Sequence, residues 1–190
     1  LMLTRTTSGE VSEIETIQAN VARRLLGLHT RASVLAVYAD LGWCPFRERL
    51  EEAKICFYAR IRREKRATYT AHLAETRANS VENGDTSGLF GEVASILEKW
   101  NAKHLWKVAK TDTKAQFKKK VREARSRRVL ARYHDWASSL SSPGSSVWRE
   151  KRTWTKEKYV STLSQRSRRR LAAMRCATTN ARADKLATTF

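Results

Sequence analysis

The chain has 190 residues, with 38 Lys and Arg against 19 Asp and Glu and a net charge of +19. That length fits one domain or two small ones, and an apolar content of 41 % allows a core, though a thin one. The longest apolar run, Val34 to Ala39, has six residues, far short of the ~20 needed to cross a bilayer as a helix. Seven Gly and two Pro leave little punctuation for strands, so an all-α fold without a sheet is expected. Cys44, Cys56 and Cys176 form no close pair, an odd count that suits a reducing, intracellular compartment rather than a disulfide-stapled secreted domain.

The charge is uneven. Residues 1–95 hold 13 basic and 12 acidic residues, whereas residues 96–190 hold 25 and 7. Such asymmetry suggests that the second half faces a polyanion, which would also relieve its self-repulsion.

In chain order, residues 1–10 are expected to fray. Residues 11–78 are expected to form a small helical unit. Its first helix, over 11–28, carries Val11, Ile14, Ile17, Val21, Leu25 and Leu28 on one face. Ser12 and Glu15 fit a capping box, and Gly27 stands at the expected stop. Ser33 is placed to cap a short helix expected to end at Gly42. Pro45 then opens a helix with a stripe of Phe46, Leu50, Ala53, Phe57 and Ile61. Residues 79–88 (NSVENGDTSG) read as a loop, and residues 89–140 as a basic helical region. In that region Leu89, Val93, Ile96, Leu97, Trp100, Leu105 and Val108 recur at helical spacing. A long helix capped at Thr111 or Thr113 follows, with Phe117, Val121 and Ala124 inside. The stretch Ser138 to Ser146 opens a linker over 141–155. Residues 156–176 form an Arg-rich helical segment broken near Ser164, and residues 177–190 show no periodicity and are expected to be a disordered tail.

Residues 15–61 carry a recognisable order of motifs. Glu15, Ile17 and Gln18 are followed by Arg23-Arg24-Leu25-Leu26-Gly27-Leu28, then Leu41-Gly42-Trp43 and Pro45, and then Arg47, Arg49, Phe57 and Arg60. This resembles the region just after the catalytic domain of non-LTR (LINE-type) retrotransposon reverse transcriptases. Tyr159-Val160, Arg168-Arg169-Arg170-Leu171 and Met174-Arg175 are similar to the stretch that precedes a zinc knuckle in the same family. The polymerase domain would lie before residue 1 and the knuckle after about residue 185. The resemblance therefore implies the thumb and post-thumb region alone. Such a region would hold template and primer, pack on a reverse-transcriptase catalytic domain and do no chemistry itself.

The strongest functional signal is the run Lys118, Lys119, Lys120, Arg122, Arg125, Arg127, Arg128 and Arg132. Across residues 114–132 only Glu123 offsets nine basic residues. Solvated helices ordinarily intersperse acids, because like charges four apart repel; an uncompensated run is suited to phosphates. Arg166, Arg168, Arg169 and Arg170 form a second cluster, which also fits a nuclear-localisation signal. Arg149, Lys151 and Arg152 form a third, interleaved with Trp148 and Trp154, whose rings are candidates for stacking on unpaired bases. Trp43 and Trp100, set among apolar residues, read as core. Tyr38-Ala39-Asp40-Leu41 lacks the second carboxylate of a polymerase motif and reads as an ordinary helix end. Gly88-Leu89-Phe90-Gly91 reads as a helix start, and Cys44 as a packed small hydrophobe. The four His and three Cys have no zinc spacing. No cofactor, metal or catalytic site is expected, and RNA or DNA is the expected partner. A helical protein-interaction module is the alternative; its signature would be an exposed apolar patch on the first unit.

Overall fold

The computed structural model describes residues 7–64, 68–139 and 154–177. Every regular element among them is a helix, and no strand occurs among them. The fold is all-α. The helices are α1 (Ser8–Leu26), α2 (Val34–Leu41), α3 (Phe46–Arg62), α4 (Tyr69–Glu82), α5 (Gly88–Lys99), α6 (His104–Val108), α7 (Lys114–Ser139), α8 (Lys158–Thr162) and α9 (Gln165–Ala177). They fall into two compact units, one of Arg47–Arg128 with Leu1–Thr7, the other of Ser8–Phe46 with Val129–Phe190. The expected unit over 11–78 is thus divided at Phe46/Arg47. The cause is packing partners: α3 and α4 share a core with α5–α7, whereas α1 and α2 share theirs with α8 and α9.

The unit of Arg47–Arg128 is built around α3. Ile55, Tyr58 and Ala59 enter its core beside Val93, Leu97, Leu105, Phe117 and Val121. Tyr58 stacks on Trp106 at 4.5 Å and meets the edge of Phe90 at 5.0 Å. Burial pushes the Tyr58 hydroxyl well above its ordinary pKa. The expected stripe Phe46, Leu50, Ala53, Phe57 and Ile61 is only half-buried. Neighbouring helices also cover several polar positions of α3, where charged side chains find partners. Glu51 accepts from Lys99 Nζ at 2.6 Å and from Trp100 Nε1 at 2.8 Å. Lys54 pairs with Glu92 of α5, and Arg62 with Glu75 of α4 at 3.0 Å.

Helix α4 starts at an N-cap, where Thr68 Oγ1 accepts from Ala71 N–H at 3.2 Å. It runs on to Glu82, so the first four residues of the expected 79–88 loop are helical. The turn itself is held by Asp85, which accepts from Ser87 N–H at 2.8 Å. Helix α5 begins at Gly88, as its glycine-flanked start suggested. Helix α7 opens with a reciprocal capping box: Gln116 N–H donates to Thr113 Oγ1 at 3.3 Å, and Thr113 N–H to Gln116 Oε1 at 3.1 Å. Phe117, Val121 and Ala124 are buried as the spacing predicts. The next buried positions are Val129, Tyr133 and Ala137. The five-residue step from Ala124 to Val129 changes the phase of the pattern where α7 passes from one unit into the other.

In the unit of Ser8–Phe46 and Val129–Phe190, α1 departs from expectation. It starts at Ser8, so Ser12 lies inside the helix, where its carbonyl accepts from Thr16 Oγ1 rather than forming a cap. Its buried face is Val11, Gln18, Ala19, Ala22 and Leu26. The expected stripe of Ile14, Ile17, Val21 and Leu25 is exposed. Small side chains decide this: Ala19 and Ala22 let α1 pack closely on Val37, Tyr38 and Leu41 of α2, and Gln18 Nε2 donates to the Cys44 carbonyl at 2.9 Å. Helices α1 and α2 end alike, on Gly27 (φ +66°) and Gly42 (φ +63°). The following N–H reaches back five residues in each, from Leu28 to Arg23 and from Trp43 to Tyr38.

Residues 154–157 fasten onto the end of α2. Trp154 Nε1 donates to the Trp43 carbonyl at 3.1 Å, and Glu157 N–H to the Asp40 carbonyl at 2.8 Å. A Cβ on Gly42 would sit 2.4 Å from Lys156 N. Ser164 separates α8 from α9 and caps the latter, accepting from Ser167 N–H at 3.3 Å. Helix α9 then buries Ala172 against α1 and α2, and Arg175 Nη2 faces Asp40 Oδ1 at 3.0 Å. Asp40 is fully buried.

Removing one partner of a buried pair leaves an uncompensated charge, so Arg175→Ala should destabilise this unit by about 3–5 kcal/mol, read from chemical denaturation. Gly42→Ala should destabilise it as well, by more than the ~1–2 kcal/mol of the left-handed backbone alone, because the methyl also meets residue 156. An unchanged midpoint in either variant would contradict the packing described.

Candidate nucleic-acid interface

The basic run of α7 divides once its side chains are placed. Lys118, Lys119, Arg122 and Arg127 are exposed, whereas Lys120, Arg125, Arg128 and Arg132 are half-buried. Arg125 pairs with Glu52 of α3, and Arg122 Nε lies 3.6 Å from the other oxygen of the same carboxylate. Lys120 Nζ lies 2.8 Å from Asp112, just before the start of α7. Lys120 and Arg125 therefore have structural work within their unit. Lys114 is also exposed and precedes Lys118 and Arg122 at intervals of four, so the three form a row rising about 6 Å per step. Lys114 was legible only as part of the count of basic residues. Glu123 is exposed too, set between Lys119 and Arg127.

In α9, Arg166, Arg169 and Arg170 are exposed, and Arg168 is half-buried with Nη2 donating to the Leu163 carbonyl at 3.3 Å. The stem of Arg169 runs across Gly27, where a Cβ would lie 2.5 Å from its Cδ. Arg149, Lys151, Arg152 and Trp148 lie outside the described residues. Trp154 is half-buried: its N–H is bound to Trp43, and its ring meets Tyr133 edge-on at 5.7 Å. The ring proposed for base stacking thus packs in part against the core of its own unit.

Of the residues read as structural, Trp100 is buried, Trp43 packs against the α1–α2 core, and Cys44 is buried. Tyr38 and Asp40 are buried in α2, so the Tyr-x-Asp stretch is a helix end with its acid neutralised internally. The Cys56 thiol is pushed up by burial and then by Glu52, which keeps it protonated and poorly nucleophilic. Among the described residues, no three His, Cys, Asp or Glu side chains gather as metal ligands, and no helix is long and apolar enough to cross a membrane. The Asp40–Arg175 pair went unforeseen. Its signal was present: a lone Asp inside the apolar run VLAVYADL needs a cation when that run is buried.

No family model matches the chain, and neither does any curated protein or solved structure.

Two kinds of cation imply two kinds of variant. Lys118→Glu with Lys119→Glu should leave thermal stability within about 0.5 kcal/mol of the parent, as for ordinary surface positions. Arg125→Ala should cost about 1–3 kcal/mol by leaving Glu52 undercompensated. Equal effects on melting would show that the division into surface and internal cations is wrong.

Proposed function

We propose that this chain binds RNA or DNA through phosphates, with low sequence specificity and without catalysis. The observation that carries the reading is the fate of the acids near α7. Glu52 and Asp112 are engaged by Arg125, Arg122 and Lys120, and Lys118, Lys119 and Arg127 remain exposed beside a single acid, Glu123. A row of cations at helical spacing suits a polyanion, because each phosphate neutralised releases a counterion. Arg166, Arg169 and Arg170 offer a second, separate basic surface on α9. The resemblance to the post-catalytic region of LINE-type reverse transcriptases supports the same reading, with a polymerase domain and template–primer as the partners and the inside of the cell, including the nucleus, as the setting.

A second reading, a protein-interaction module, is favoured by one observation: the exposed apolar stripe on α1.

Fluorescence anisotropy with single-stranded RNA, single-stranded DNA and duplex, across a salt series, separates the two. Binding should weaken log-linearly with salt, with a slope of about −0.9 per phosphate held on duplex and about −0.7 on single strands. Lys118→Ala and Lys119→Ala should each flatten that slope by about 1 if the residue holds a phosphate, and to the same extent for unrelated sequences. Absent or salt-independent binding would remove the nucleic-acid reading and leave the interaction module.

A further inference from the structure

Among the described residues, four of the eight exposed large hydrophobic side chains lie on α1, and the nucleic-acid reading leaves them unused. Ile14, Ile17, Val21 and Leu25 are 38 %, 63 %, 43 % and 48 % exposed. Their spacing of three, four and four makes one continuous seam, about 16 Å long at the rise of an α-helix. The same spacing is that of an interhelical seam. An apolar row of this kind on an otherwise highly charged chain marks a surface that is covered in use.

The charges beside the seam identify what covers it. Glu13 lies near its amino end and Arg24 near its carboxyl end, both exposed and both on the same flank by helical phase. If a second α1 lies antiparallel, with Ile17 of each copy over Val21 of the other, Glu13 of one copy falls opposite Arg24 of the other. Two-fold symmetry then makes that contact twice. In a parallel two-fold pair this flank would face the partner's opposite flank, so Glu13 and Arg24 would make no contact with each other. The flank is therefore self-complementary in one orientation only.

We propose that α1 is the dimerisation seam of this chain, joining two copies as an antiparallel helix pair through Ile14, Ile17, Val21 and Leu25, with reciprocal Glu13–Arg24 contacts setting the orientation. The occupant is a second copy, and the surface is distinct from the basic row of α7. Dimerisation therefore stands or falls apart from nucleic-acid binding.

The test is sedimentation equilibrium of the full chain, freed of nucleic acid, across the micromolar range at low and moderate salt. The parent should show a monomer–dimer equilibrium. Val21→Asp should weaken dimerisation at least tenfold while the far-ultraviolet dichroism and melting temperature stay as in the parent, since Val21 contributes little to the core of its own unit. Glu13→Arg and Arg24→Glu should each weaken dimerisation, and the double variant carrying both should restore it. Restoration in the double variant is specific to the antiparallel arrangement and does not depend on any single variant's stability. A parent chain that stays monomeric throughout, a dimer indifferent to Val21→Asp, or a double variant no better than the single ones would each overturn the proposal. So would a monomeric chain that instead buries this face against a different protein.

Discussion

Glu52 receives two arginines of α7, and this capture shapes much of what the protein presents to solvent. With 38 basic residues and 19 acidic ones, few carboxylates are available to draw cations inward. Helix α3 carries several of them to its neighbours: Glu51 takes Lys99 and the Trp100 indole of α5, and Glu52 takes Arg125 and Arg122. Arg62 joins α3 to Glu75 of α4 in the same way, where apolar contact is modest, since α4 buries only Ala74 and Ala78. Lys114, Lys118, Lys119 and Arg127 of α7, which Glu52 does not draw in, stay at its surface. Internal cohesion and external charge are thus two outcomes of one shortage.

The same economy operates in the other unit with a single carboxylate. Asp40 sits in an apolar run that must be buried for α2 to pack, and a buried acid without a cation is expensive. Arg175 supplies the cation from the far end of the chain. The requirement explains why α9, a helix rich in arginine, is held against α1 and α2 by only a few apolar residues. It also separates Arg175 from Arg166, Arg169 and Arg170, which share its helix but face solvent.

Much of the fold was legible because its punctuation is chemically explicit. Gly27 and Gly42 end their helices in the left-handed conformation that glycine tolerates best, Pro45 stands just before α3, and Thr113 with Gln116 forms the box that opens α7. The inner face of α7 followed from spacing as far as Ala124, and the later positions Val129, Tyr133 and Ala137 did not. The face of α1 did not, since hydrophobicity ranked Ile14, Ile17, Val21 and Leu25 above the alanines that let two helices approach closely. Nor could spacing distinguish Lys118 from Arg125: both belong to one basic run, and only the position of Glu52 across the core makes one a surface charge and the other a brace. The packing of Trp154 is hidden for a related reason, because its neighbours in sequence are charged while its neighbours in space are Trp43 and Tyr133.

One of the two units is continuous along the chain from Arg47 to Arg128, apart from the extreme amino terminus; the other is not, since it joins Ser8–Phe46 to Val129–Phe190. On the ribosome this imposes an order. Helices α3 to α6 and the start of α7 are complete in sequence once Arg128 has emerged, whereas Asp40 must wait for Arg175. At a usual rate of about 5–20 residues per second Arg175 follows Asp40 by roughly 7–27 s and follows Arg128 by roughly 2–10 s, and until it arrives α1 and α2 are without α9. The nascent chain therefore passes through a stage in which one unit is finished and the other is a substrate for chaperones, and synthesis slowed or stopped before α9 would prolong that stage.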